Sequence, residues 1–231
     1  MKTSKIIFIS LLGSFALLIL AAAIDLRITG KRNGNLSDDF KSTRLAVSPF
    51  KVLIVNNSMN IHIVKKDTAF AEVTFLKDSL APRLNFTSKG DTLLVSDFEK
   101  SEHRDVSVTF HATDSLQVIR LKNSTVEVHR MGLGTLAFDL DQSSLTLNQD
   151  TLLKAPCRGI SIVARNHSEI NSDDFSVELL DLYLVNSEAN LQLKAKKISG
   201  SLTDNSRIFA RQPEEIALKK DPSSKVNVND Y

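Results

Sequence analysis

Hydrophobic and polar positions in the second half of the chain repeat. One or two polar residues lead into a Ser, and apolar residues follow at the second and usually the fourth place after it. The instances are Asn123-Ser124 with Val126 and Val128, Gln142-Ser143 with Leu145 and Leu147, and His167-Ser168 with Ile170. They continue with Asn186-Ser187 followed by Ala189 and Leu191, Asn205-Ser206 by Ile208 and Ala210, and Ser223-Ser224 by Val226 and Val228. The intervals between successive Ser are 19, 25, 19, 19 and 18 residues. A period near twenty, written in two-residue alternation, predicts stacked β-coils. One coil cannot bury its own apolar stripe. Stacked at the strand spacing of about 4.8 Å, coils form parallel sheets around a continuous core.

In this reading each coil is a strand, a polar corner, a second strand and a looser return. Ile119 and Leu121, Phe138 and Leu140, and Leu182 and Leu184 hold the strand positions before their corners; Ile160 and Ile162 are shifted by one. Val126, Leu145, Ile170, Ala189, Ile208 and Val226 are expected to form an inward ladder, and Ser124, Ser143, Ser168, Ser187, Ser206 and Ser224 a corner ladder. Small polar side chains there satisfy the backbone of the bend. The interval of 25 predicts an insertion, which we place at Asn171-Ser172-Asp173-Asp174.

Upstream, residues 47–112 read as entry strands that cap or extend one end. Val52–Val55, the turn Asn56-Asn57-Ser58, the alternation around Ile61 and Ile63, Ala71–Phe75, a hairpin turning at Ser88–Asp91, and Val106–Phe110 make up the series. No segment after residue 25 sustains a helical period. Pro213–Leu218 carries helix propensity over too short a run to stand alone.

Lys2 and Lys5 precede an unbroken run from Ile6 to Ile24 of apolar, Gly and Ser residues. Its length suits a membrane-spanning signal-anchor at residues 6–24 behind a cytoplasmic tail of residues 1–5. A signal peptide cleaved near Ala23 is the alternative. Cations flank both ends (Arg27, Lys31 and Arg32 after the run), so the positive-inside rule does not set orientation. A short positive N-terminal tail places the body in the periplasm, with release to the periplasm or cell surface after cleavage as the alternative. Residues 25–46 read as a linker or stalk, and residues 47–231 as a β-solenoid with repeated coils over 113–231.

Composition narrows the function classes. The net charge is +2, from 29 Lys+Arg against 27 Asp+Glu, which gives no pull toward nucleic acid. With 12 Phe, 2 Tyr and no Trp, a sugar platform of exposed Trp is excluded. The single Cys157 cannot form an internal disulfide and reads as a small semi-buried residue.

The candidate chemistry is sparse. Paired carboxylates for glycoside hydrolysis need a separation of about 5–9.5 Å. Asp141 and Asp204 share a corner three coils apart, roughly 14 Å, and Asp139 with Asp141 read as a solvated face. Asp173 and Asp174 are the remaining acid candidates. The histidines, His62, His103, His111, His129 and His167, show no metal-ligand spacing with Cys or carboxylate, so no metal and no cofactor is expected. Lys194, Lys196 and Lys197, with Arg211, Lys219 and Lys220, form a possible basic stripe toward headgroups or anionic glycans, or a solubilising outer face.

The segment Phe50–Phe98, with Asn60-Ile61-His62-Ile63-Val64-Lys65-Lys66-Asp67 and Gly90-Asp91-Thr92-Leu93-Leu94-Val95, resembles the opening of the auto-transporter adhesin head GIN domain family. The Ser-cornered coils resemble the rest of that domain, over about residues 47–229. The Gly-Ile-Asn string of the family name is absent; Gly159-Ile160-Ser161 is a near echo. The resemblance implies a right-handed β-helical fold and a Gram-negative envelope location, and carries over no catalytic residues.

The expectation is therefore an all-β chain: a right-handed parallel β-helix or solenoid of about six coils, preceded by a transmembrane helix or signal peptide. It acts without catalysis as a binding, adhesin-like or scaffolding surface for an envelope protein or glycan. The alternatives are a carbohydrate-active β-helix enzyme on acidic polysaccharide and a membrane-tethered self-assembling module.

Overall fold

The computed structural model describes residues 39–77, 84–98, 106–129, 134–148, 157–173, 176–211 and 213–229. The chain divides into two compact units, Met1–Lys41 and Ser42–Tyr231, and the buried core of the described residues lies in the second. The apolar run of residues 6–24 lies outside the described residues. Among the described residues no helix is long and apolar enough to cross a membrane.

The described residues are all-β and fall into two large sheets. The first strands are β1 (Phe40–Ala46), β2 (Val52–Asn56), β3 (Ile61–Lys65), β4 (Phe70–Leu76), β5 (Phe86–Lys89), β6 (Thr92–Ser96) and β7 (Ser107–Ala112). Next come β8 (Val118–Lys122), β9 (Thr125–His129), β10 (Thr135–Asp141), β11 (Ser144–Asn148), β12 (Cys157–Arg165) and β13 (Glu169–Ser172). The last are β14 (Ser176–Val185), β15 (Glu188–Leu191), β16 (Lys194–Thr203), β17 (Arg207–Arg211), β18 (Glu215–Lys220) and β19 (Lys225–Asn229). From β8 onward, even-numbered strands line up in chain order in a nine-stranded sheet and odd-numbered strands in a ten-stranded sheet. Neighbours in these rows pair in parallel, each strand with the one two places later.

Apolar alternation explains why these segments are strands with one buried face. Ile61, Val126, Leu145, Ile170, Ala189, Ile208 and Val226 pair rung to rung along one sheet. Leu53, Ile119, Phe138, Ile162 and Leu182 do so along the other. All but Val226 are buried, and they belong to one core cluster. In β12, β14 and β16 inward residues stand three apart at one level, Cys157/Ile160, Val177/Leu180 and Ala195/Ile198, which interrupts the two-residue period.

The early strands do not stack in chain order. β2 and β3 each lie between two parallel neighbours, β6 and β8 for β2 and β7 and β9 for β3. The chain leaves β3, builds β4–β7 on the far side, and returns to β8. β4 then runs antiparallel to β7, and β5 antiparallel to β6, the hairpin expected around Gly90.

Two expectations need correction. Phe40–Ala46, read as the end of the stalk, forms β1 beside β4 in the ten-stranded sheet, with Ser42 Oγ 3.0 Å from Thr74 Oγ1. Asn171 and Ser172 are no insertion; they are strand residues of β13, paired with Thr146 and Leu147 before and Asn190 and Leu191 after. Asp174 lies outside the described residues. The long interval instead arises between Ser143 and Ser168. The pairing of Thr135 with Gly159 puts extra residues in the β11–β12 connection and one at the corner, where Arg165 stands three places before Ser168 but Asp141 two before Ser143. That extra corner residue is also why the apolar positions before Ser168 are shifted by one.

Candidate functional site

The corners come first because they position everything else. At the corners from Ser58 to Ser206 the residue before the Ser takes a left-handed conformation: Asn57, Asn123, Gln142 and Asn186, with φ from 48° to 50°. The longer corners use two such residues, Asn166-His167 and Asp204-Asn205. Asn and Asp tolerate this region better than other side chains, which is why Gly is dispensable here.

The Ser then turns inward. The N–H of Ser58 donates to Ser124 Oγ at 3.2 Å, Ser124 N–H to Ser143 Oγ at 3.2 Å, and Ser143 N–H to Ser168 Oγ at 3.2 Å. Ser168 N–H donates to Ser187 Oγ and Ser187 N–H to Ser206 Oγ, both at 3.3 Å. Each hydroxyl donates in turn to a carbonyl two or three residues back, as Ser143 does to Asp141 at 2.7 Å and Ser206 to Thr203 at 2.6 Å. The row begins one rung earlier than the repeat suggested, at the fully buried Ser58, and it changes character at the far end. There the row gives way to Asp221, which accepts from Asp204 N–H, Ser223 Oγ and Ser224 N–H, each at 2.9 Å. Hydrogen bonding from the Ser224 side chain foremost, then from Asp204 N–H, Ser223 and Ser224 N–H, holds the Asp221 carboxyl down at about 2. The fourth-place gap after Ser168 also has its reason. Ser172 occupies that inward position and its Oγ accepts the N–H groups of Gln192 at 3.0 Å and Leu193 at 3.3 Å.

Asp173 is exposed at the end of β13, its N–H on Leu147 O at 3.0 Å, and no described acid stands paired with it for hydrolysis. Asp139 accepts from Arg165 at 2.9 Å and Asp141 from Asn166 at 2.6 Å, so these two serve adjacent strands and corners. Lys194 and Lys196 are exposed on β16; Lys197 is bonded to Glu215 at 2.5 Å, so the stripe is partly neutralised. Cys157 is buried in β12, its thiol donating to Gly134 O at 3.2 Å, and burial pushes its pKa up, the reverse of what a nucleophile needs.

The outward face of the ten-stranded sheet holds a cluster that sequence reasoning missed. His62 on β3 pairs in register with Glu127 on β9, and Val64 with His129. Residues 127 and 129 share a face because they are two apart on a strand. The ligand-capable atoms of His62, Glu127 and His129 all lie within 4.8 Å of one another. His62 Nδ1 is 3.1 Å from Glu127 Oε2, His129 Nε2 is 3.4 Å from Glu127 Oε1, and the imidazole centroids are 5.8 Å apart. Asn148 on β11 donates to the same Glu127 carboxylate. Two neighbouring strands far apart in sequence create the juxtaposition, so spacing along the chain could not reveal it; the Glu-Val-His alternation was the available signal. His129 also lines a cavity of about 510 Å³ with Ile63, Val128, Leu116 and Leu136, rimmed by the Lys65–Asp114 ion pair.

A second feature is the outer face of β14. Leu179 is 51% exposed and Tyr183 45%, with Val185 beside them. Their neighbours in register are Lys197 for Leu179, Val163 for Tyr183 and Arg165 for Val185.

No protein-family model matches the chain, and no curated protein does. Among solved structures it is similar to a "putative adhesin" from Bacteroides fragilis at 12% identity and a TM-score of 0.49, over 82% of this chain and 97% of that one. It is also similar to a "putative lipid binding protein" from Parabacteroides distasonis at 10% identity and 0.40, over 83% and 97%. A "putative adhesin" from Parabacteroides merdae follows at 11% and 0.36, over 83% and 96%. Likenesses this distant transfer neither fold nor function to this chain.

Proposed function

We propose that this chain is a non-catalytic, cell-envelope member of the GIN domain family. Residues 6–24 anchor it, and its strand rows form a right-handed β-solenoid in the periplasm that serves as an adhesin-like or scaffolding surface for an envelope protein or glycan. The observation that carries the reading is the outer face of β14. Tyr183 and Val185, with Leu179 beyond Asp181 on the same face, leave exposed apolar side chains on a strand held by parallel neighbours on both sides, flanked by Lys197 and Arg165. Solvent-exposed apolar strips with a polar rim are the mark of interaction surfaces. The parallel neighbours hold the strand's backbone in place, so binding orders no backbone.

The test has two arms. Protease added to spheroplasts should digest the body; full protection with digestion only after lysis overturns the periplasmic placement. A photoreactive residue at Tyr183 should give a discrete adduct in intact cells. An adduct yield no higher than from Lys89, exposed at the end of β5, removes β14 as the binding face.

A further inference from the structure

We propose that His62, Glu127 and His129 form a divalent transition-metal site of the zinc class that ties β3 to β9. The donor set is two imidazoles and one carboxylate, which suits zinc and its neighbours and leaves a position open for water or a partner's anionic group. The spacing fits as well. At metal–ligand distances of about 2.0–2.1 Å, tetrahedral ligands stand roughly 3.3–3.4 Å apart. Each imidazole meets one oxygen of the carboxylate, His62 Nδ1 at 3.1 Å from Oε2 and His129 Nε2 at 3.4 Å from Oε1, and all the ligand atoms lie within 4.8 Å of one another, close enough to converge on one ion. The platform is rigid, because β3 and β9 pair in parallel and β11 continues the sheet with Asn148 bonded to Glu127. A bond from a neighbour to a ligating carboxylate is the usual outer-shell support of a metal site. Each of the three side chains is about one-third exposed, enough for an ion to enter from solvent.

The location gives the site a role. Between β3 and β9 the chain makes its excursion through β4–β7 before returning. A metal held by both strands fastens the point where that excursion closes, and stabilises the fold through preferential binding to the folded state.

The test uses the purified full chain in detergent, stripped with a chelator, with Co²⁺ as the spectroscopic probe and Zn²⁺ as competitor. The expected result is saturable visible ligand-field absorption at one Co²⁺ per chain, displaced by Zn²⁺, with a Zn²⁺-dependent rise in Tm. Glu127→Gln and His129→Ala should abolish the absorption while leaving the far-ultraviolet spectrum unchanged. Asn148→Ala should weaken binding on the order of 10-fold. If His129→Ala does not fold, His62→Asn reports on the same site. Absence of the bands in the wild-type chain overturns the site and leaves the cluster as two His–Glu contacts on one carboxylate. Bands that survive in the foldable ligand variants overturn it equally.

Discussion

Ser143 shows how little chemistry is needed to specify a corner. Its hydroxyl donates to Asp141 O and accepts Ser124 N–H inside the protein. Ser143→Ala leaves a buried N–H and a carbonyl short of partners, so a loss of about 1–3 kcal/mol is expected in denaturant melts. Ser144→Ala, one residue on and only half-buried, should change stability by less than about 0.5 kcal/mol. His111 offers a second measurement. It is buried and stacked on Phe70 with centroids 4.0 Å apart. Nε2 is 3.4 Å from Glu72 Oε2 but not aligned for a hydrogen bond. Burial first, then the charges of Lys66 and Arg44, lower its pKa from 6.5 against the opposing pull of Glu72. The unfolded chain therefore takes up a proton that the folded chain resists. No contribution arises above pH 6.5, and stability falls as pH drops below it, until the lowered folded pKa is passed. Titrating the unfolding free energy of wild type against His111→Phe should show a flatter acid limb in the variant. The corner Ser residues were legible because a repeated residue at a repeated spacing is a local signal. Ser58 was not, since its rung lies 66 residues before Ser124, on the other side of the excursion.

Among the strands, β16 carries the sharpest constraint. Gly200 has a φ of 124°, and a Cβ there would stand 1.9 Å from Leu182 O on β14. Both the backbone conformation and the contact exclude a side chain, so Gly200→Ala should cost at least ~3 kcal/mol and loosen the β14–β16 pairing. Amide exchange of Leu182 and its neighbours would report it, and unchanged protection would contradict the assignment. Strand existence from residue 50 onward was readable from alternation, because each strand buries one face. Strand neighbours were readable only where the repeat is regular. The extra residues of the long interval were misplaced at Asn171–Asp174, which follow Ser168 and so fall outside the Ser143–Ser168 interval; the Ser spacing alone does not say where inside that interval the extra residues sit. Partner registration settles that.

For the molecule as a whole, the weak points are the sheet ends. β18 and β19 close their sheets at one end, and Lys219, Lys220 and Lys225 sit there. Charged edge strands resist pairing with a second copy. Replacing these three by Thr should promote concentration-dependent association, readable by sedimentation, whereas the wild type stays unassociated at the same concentrations. The repeat, the inward ladders and the all-β character follow from local alternation and need no distant contacts, so they were written in the order of residues. The excursion of β4–β7, the rung at Ser58 and the meeting of His62 with Glu127 and His129 depend on which strand lies beside which. Those pairings are set by how well whole strands bury apolar faces together, an energy summed over residues far apart in the chain. Only the folded arrangement reveals them.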